Sequence, residues 1–187
     1  TSDPVTGKSL NSLTFDGAAT YASDPVEWTV DNGAFYSGQG NWLDRSMVFE
    51  GTVPVDNPTL SFSSMYDIEQ GWDFGMVQIS TDGGATYTSL ANENTTSEHD
   101  PAAAGTIVNQ LPGFTGVQET AATETFDLSK YAGQDVLVAF RYMTDPAANG
   151  NGVLPEPGWW VDDVTLGGAV LSDGSTLDGV RSMTQIW

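Results

Sequence analysis

The chain has 187 residues, 25 of them acidic and five basic, for a formal charge of −20. Such acidity argues against nucleic-acid binding, which needs a basic footprint, and an anionic membrane surface would repel the chain. With no cysteine there is no disulfide and no thiolate metal site, and the length suffices for one β-sandwich with a sizeable core.

Only 39% of residues are hydrophobic while 11% are aromatic, so a few large side chains must fill the core. The 21 glycines and nine prolines fit a turn-rich all-β fold. No stretch reads as a signal peptide or a membrane span. The opening TSDPVTGK reads as the interior of a longer protein.

In chain order, residues 1–13 read as a linker or edge strand, 14–168 as the sandwich domain and 169–187 as a tail. That tail is either an extra strand pair or the start of a following domain. Short extended pieces are expected at 13–15, 28–30, 34–36 and 46–50, separated by Gly-containing turns. Asn57-Pro58 opens a strand at 59–68 with Leu60, Phe62, Tyr66 and Ile68 on one face. Ser61, Ser63, Met65, Asp67 and Glu69 occupy the other. A strand at 73–80 follows, with Val77 and Ile79 on its inner face, and a tight hairpin closes it.

That hairpin, Ser80-Thr81-Asp82-Gly83-Gly84-Ala85-Thr86-Tyr87, fits the Asp-box pattern Ser-x-Asp-x-Gly-x-Thr-aromatic. The Asp accepts turn amides, the glycines take positive φ and the aromatic packs beneath. It is a structural device. Residues 91–122 read as a long polar loop, 123–128 as a strand and 128–134 as one helical or tight turn. The last strands are expected at 136–143 and 159–166, with Asp162 on the face of Trp160, Val164 and Leu166, and Asp163 on that of Val161.

Two acids, Asp73 and Asp162, fall on faces where burial is expected. Asp67, Glu69 and Asp73 surround the turn Gln70-Gly71-Trp72, and Asp73 shares a face with Val77 and Ile79. A buried carboxylate needs a partner, and basic residues are scarce. Calcium, which takes six to eight oxygens, is the natural one. The alternative is exposed strand-end acids. Tyr36, Trp42, Trp72, Trp159 and Trp160 form an aromatic set that could stack on sugar rings or pack in the core; Trp42, Trp72 and Trp159 are the ligand-binding residues of the sugar reading. The one histidine, His99, rules out a His-Glu-x-x-His zinc site, and no Gly-x-Ser-x-Gly elbow accompanies it.

Three segments, MYDIEQGWDFGMVQISTDGGATYTSL (65–90), FDLSKYAGQDVLVAFRYMTD (126–145) and GWWVDDVTL (158–166), resemble the non-catalytic sandwich domain of immune inhibitor A-like secreted metallopeptidases of the M6 type. That domain is a jelly-roll-like antiparallel β-sandwich, similar in style to MAM domains and carbohydrate-binding modules. The resemblance covers about residues 26–166. It implies secretion, calcium and a neighbouring zinc-peptidase domain, with no catalytic residue in this chain. Phe15-Asp16-Gly17 and Asp162-Asp163-Val164 are similar to a pair that meets at calcium in carbohydrate-binding jelly rolls, which implies Asp16, Asp162 and Asp163 as ligands. A second calcium candidate uses Glu69, Asp73 and Asp145. The expected partners are other domains of the same polypeptide, with an extracellular protein or glycan as further options.

Overall fold

The computed structural model describes residues 25–186. The expected linker at 1–13, the strand at 13–15 and Asp16 lie outside these residues. The described chain forms an antiparallel β-sandwich of ten strands: β1 (Thr29–Asp31), β2 (Ala34–Tyr36), β3 (Asp44–Thr52), β4 (Thr59–Ile68), β5 (Phe74–Ser80), β6 (Thr88–Ser89), β7 (Gly116–Asp127), β8 (Asp135–Met143), β9 (Gly158–Leu166) and β10 (Ala169–Ser172). One sheet runs β1-β2-β9-β4-β7, with β10 also on β9; the other runs β3-β8-β5-β6. Among the described strands the chain changes sheet six times, the β4–β5 turn and the segment from β8 to β9 among them.

Alternation drives this arrangement. Leu60, Phe62, Tyr66 and Ile68 of β4 face inward as their period of two requires, and Ser64, also inward, donates no bulk but receives the Trp159 indole N–H on its hydroxyl at 2.9 Å. The core is aromatic. Phe62 packs edge-on against Phe140 at 4.9 Å between centroids, and Trp159 contacts Trp28 at 5.7 Å and Phe114 at 5.6 Å. Gly75 makes room for this: a Cβ there would lie 2.6 Å from Trp159 Cε3.

The Asp-box hairpin is built as the turn chemistry requires. Asp82 accepts the Thr86 amide at 2.9 Å and its hydroxyl at 2.6 Å, and the Ser80 hydroxyl accepts the Gly84 amide at 2.9 Å. The Thr86 bonds, with help from Ser80, hold the Asp82 carboxyl down to about 2. Tyr87 packs with Met183 and Ile186 over Val48, Leu137 and Ala139, on the outer face of the β3–β8 pair. The segment after β10 therefore lies against this sheet, held by hydrogen bonds from Val48 N–H to the Arg181 carbonyl and from Met183 N–H to Ser46 Oγ. The expected turn at 128–134 contains a 3₁₀ turn at Ser129–Tyr131.

Three expectations need correction. First, β7 begins at Gly116, so the polar loop ends earlier than 122. The first half of β7 is an edge strand with mostly exposed polar residues, so no apolar alternation marks it. The loop also carries a short helix α1 (Gly105–Val108), whose Ile107 packs on Phe74 and Met76. Second, Asp162 does not share a face with Val164 and Leu166. The register of β9 on β4 steps from Ser63↔Asp162 to Ser61↔Thr165, so a bulge inserts one extra residue. Asp163 takes φ +50°, Trp159, Val161, Val164 and Leu166 point inward, and both aspartates turn outward. Third, Trp159 is fully buried, so it offers no stacking surface to a ligand.

Candidate metal centre

The β4–β5 turn is built around Gly71, whose φ of +79° lets the chain reverse within a few residues. The Glu69 carbonyl accepts the amides of Trp72 and Asp73, each at 3.2 Å, and the Thr115 hydroxyl at 3.0 Å. This folds Glu69 and Asp73 toward each other. Asp145 arrives from the end of β8, placed by its amide, which donates to Asp73 Oδ1 at 2.7 Å, and by its carbonyl, which accepts the Trp42 amide at 2.9 Å. Ligand oxygens of Glu69, Asp73 and Asp145 lie within 4.8 Å of one another. Glu69 follows a strand of one sheet while Asp73 and Asp145 flank strands of the other, so the cluster joins the sheets at one end of the sandwich.

The cluster is buried and under-compensated. Asp73 is 0% and Asp145 6% exposed. Asp73 Oδ2 and Glu69 Oε2 are buried with no hydrogen-bond partner among the described residues. The described cations are engaged elsewhere: Arg45 with Glu27, Arg141 with Asp44, Arg181 with Glu50, and Lys130 over the Tyr131 ring. Burial, then the charges of Asp145 and Glu69, push Asp73 up to about 7 despite the Asp145 amide. Burial, then Asp145, also raises Glu69. Three all-oxygen carboxylates with two orphaned buried oxygens fit a hard divalent cation, with loop carbonyls or water completing the shell.

A pH dependence follows for the metal-free chain. Between the ordinary carboxylate value of 3.8 and about 7, folded Asp73 keeps a proton that the unfolded chain has released. Stability therefore falls as pH rises through that window. Asp82 and Asp67, both held low, act only below it. Unfolding in EDTA should show a lower midpoint at about pH 8 than at about pH 5, and Asp73→Asn should flatten the difference.

The other expected residues fall as follows. Asp162 is half-buried and Asp163 exposed at the bulge, and among the described residues they join no cluster of three metal-ligating side chains. Burial, opposed by the Asp163 amide and supported by the charges of Asp163 and Asp173, raises Asp162. Asp16 lies outside the described residues. Trp42 is 68% exposed, with φ +59°, and Trp72 is half-buried in the β4–β5 turn.

Sequence reasoning missed two features of this end of the molecule. Asp67, fully buried, accepts the amides of Asn151, Val153 and Leu154 at 2.6 to 2.9 Å and the Asn151 side chain at 3.0 Å. Burial would raise its pKa, but those donors outweigh burial and hold it low. Asp67 thus latches the β8–β9 segment beside the acidic cluster without belonging to it. The Tyr142 hydroxyl, buried and without a hydrogen-bond partner, has its pKa raised by burial and then by the Asp73 charge. Asp67 has the outward parity of Ser61, Ser63 and Met65, so no pattern signalled its burial, and none marks Tyr142.

A two-sheet antiparallel sandwich whose sheets are joined at one end by a cluster of carboxylates defines an all-β module. The family model for the immune inhibitor A-like MAM domain matches residues 10–178, and the chain belongs to that family. Over 134 residues it is 33% identical to the pre-pro-metalloprotease PrtV of Vibrio cholerae serotype O1, strain M66-2, and equally to that of strain ATCC 39315 / El Tor Inaba N16961. The match covers 71% of this chain and 13% of those relatives. No described helix is long and apolar enough to cross a membrane.

Proposed function

We propose that this chain is a calcium-stapled, non-catalytic accessory domain of a secreted metallopeptidase, supporting or targeting the catalytic domain of the same polypeptide. The observation that carries the metal reading is the convergence of Glu69, Asp73 and Asp145 with orphaned buried oxygens and, among the described residues, no cationic partner. Membership of the MAM-domain family, and the similarity to a pre-pro-metalloprotease, support the accessory role and secretion.

Calcium held by the folded chain alone adds RT ln(1 + [Ca]/Kd) to stability, about 2.7 kcal/mol at a hundredfold excess over Kd. The protein's part is geometric. Glu69 and Asp73 bracket one crossover between sheets, β4–β5, and Asp145 begins another, β8–β9, so a shared ligand would fix these two. A domain made rigid in this way, and only where calcium is plentiful, suits a support for an enzyme that works outside the cell.

Calorimetric titration of the metal-free chain with calcium chloride should give about one site at this cluster, as the ligand count implies. Incubation of the chain with casein should release no peptides. An absence of calcium-dependent heat would contradict the metal reading, and casein cleavage the non-catalytic one.

A further inference from the structure

The outer face of the larger sheet carries a feature that neither the acidic cluster nor the core accounts for. Trp160, opposite in parity to buried Trp159, is half-exposed and forms a shared wall of two adjoining clefts. The larger is an open cleft of about 380 Å³, within the range of small-ligand sites, bordered by Leu154, Pro155 and Glu156. The smaller, about 180 Å³, runs over Ser63, Ala121 and Asp162.

The indole is held rigidly. Its Nε1–H donates to Asp31 Oδ2 at 3.0 Å, and its ring stacks on Tyr36 at 4.4 Å between centroids and 18° between planes. Tyr36 in turn donates its hydroxyl to the Pro157 carbonyl at 2.7 Å. A half-exposed aromatic fixed on two sides loses little freedom when a ligand arrives.

We propose that the Trp160 cleft is a carbohydrate site that takes neutral pyranose units. The chemistry of its lining selects that class. Asp31, Glu156 and Asp162 line the clefts and, among the described residues, no basic side chain does, so anionic ligands are repelled. A wholly apolar ligand would desolvate those carboxylates without replacing their hydrogen bonds. A neutral sugar supplies both halves: a C–H face for indole and Met65, and hydroxyl donors for the carboxylates. Asp31 already accepts the Trp160 and Asn32 N–H groups, so its remaining lone pairs suit hydroxyls better than its charge suits a cation.

Affinity electrophoresis of the 187-residue chain through gels containing soluble xylan, mannan or mixed-linkage β-glucan, with titration of chitohexaose, tests this site. Retardation by at least one of these is expected, with Trp160→Ala weakening it about tenfold or more, as loss of a stacking contact implies. Asp31→Ala, which frees the indole, should weaken binding less, and Trp42→Ala, at an exposed tryptophan outside the cleft, should leave it unchanged. Melting curves establish that each variant is folded. No retardation by any of the four, or equal retardation of Trp160→Ala, would overturn the proposal. So would binding of a lysine-rich peptide alone, which would make the cleft a cationic-peptide site. All arms are run with and without calcium, so failure of the metal reading leaves this result interpretable.

Discussion

Asp73→Asn is expected to abolish the calcium-induced rise in melting temperature while leaving the metal-free domain at least as stable as the wild type at neutral pH. The asparagine keeps an oxygen for the Asp145 amide, which Asp73 Oδ1 accepts at 2.7 Å. It removes one of three clustered carboxylates, the one whose ionisation burial and then the charges of Asp145 and Glu69 oppose. In calcium the wild type should gain about 5–10 °C, from about 2.7 kcal/mol spread over a domain of this size. The variant should gain almost none. Thermal unfolding monitored by circular dichroism in EDTA and in calcium reads both effects. A variant that keeps the full calcium shift would remove Asp73 from the site.

Trp159→Ala should be the most damaging single substitution in the core. Trp159 is fully buried, touches Trp28, Phe62, Phe114 and Phe140, and donates its indole N–H to Ser64. Truncation leaves a large cavity and an unpaired serine hydroxyl, at a cost of about 3–5 kcal/mol. Urea denaturation should show the loss as a lower midpoint with little change in slope. If Trp159 instead served a ligand at the surface, the variant would unfold like the wild type. The neighbouring Trp160→Ala should cost less, since part of its surface is already exposed to solvent.

The contrast between these adjacent tryptophans marks where sequence reading stops. The parity of a strand tells which residues share a face, not which face is inside. Reading inward from Val164 and Leu166 placed Asp162 in the core, and the bulge at Asp162-Asp163 reverses that parity halfway along β9. A bulge of this kind has no apolar signature; Asp163 at positive φ is its only trace, and aspartate is common enough elsewhere to carry no warning. Reading inward from Val161 gives the correct assignment for Trp159.

Elsewhere local chemistry was decisive. The alternation in β4, the Asp-box side chains and the Ser129–Tyr131 turn follow from spacing and turn residues alone. Glu69 and Asp73 were visible because two acids flank a glycine turn next to an inward-facing strand. Asp145 lies 72 residues beyond Asp73 and meets it only because β8 pairs with β5 in the sheet. That contact belongs to topology, and only the family resemblance suggested it. The polar start of β7 was missed because an edge strand facing water needs no apolar alternation.

The melting temperature of the purified, metal-free chain in EDTA, in millimolar calcium and in millimolar magnesium tests the central claim most directly. Calcium accepts irregular oxygen shells that magnesium, which demands near-ideal octahedra, does not. A rise of about 5–10 °C in calcium, with magnesium close to EDTA, is the expected result for a stapled sandwich. Superimposable curves in all three conditions would contradict it, and would leave Glu69, Asp73 and Asp145 as an acidic cluster whose Asp73 is accommodated by its raised pKa rather than by a metal.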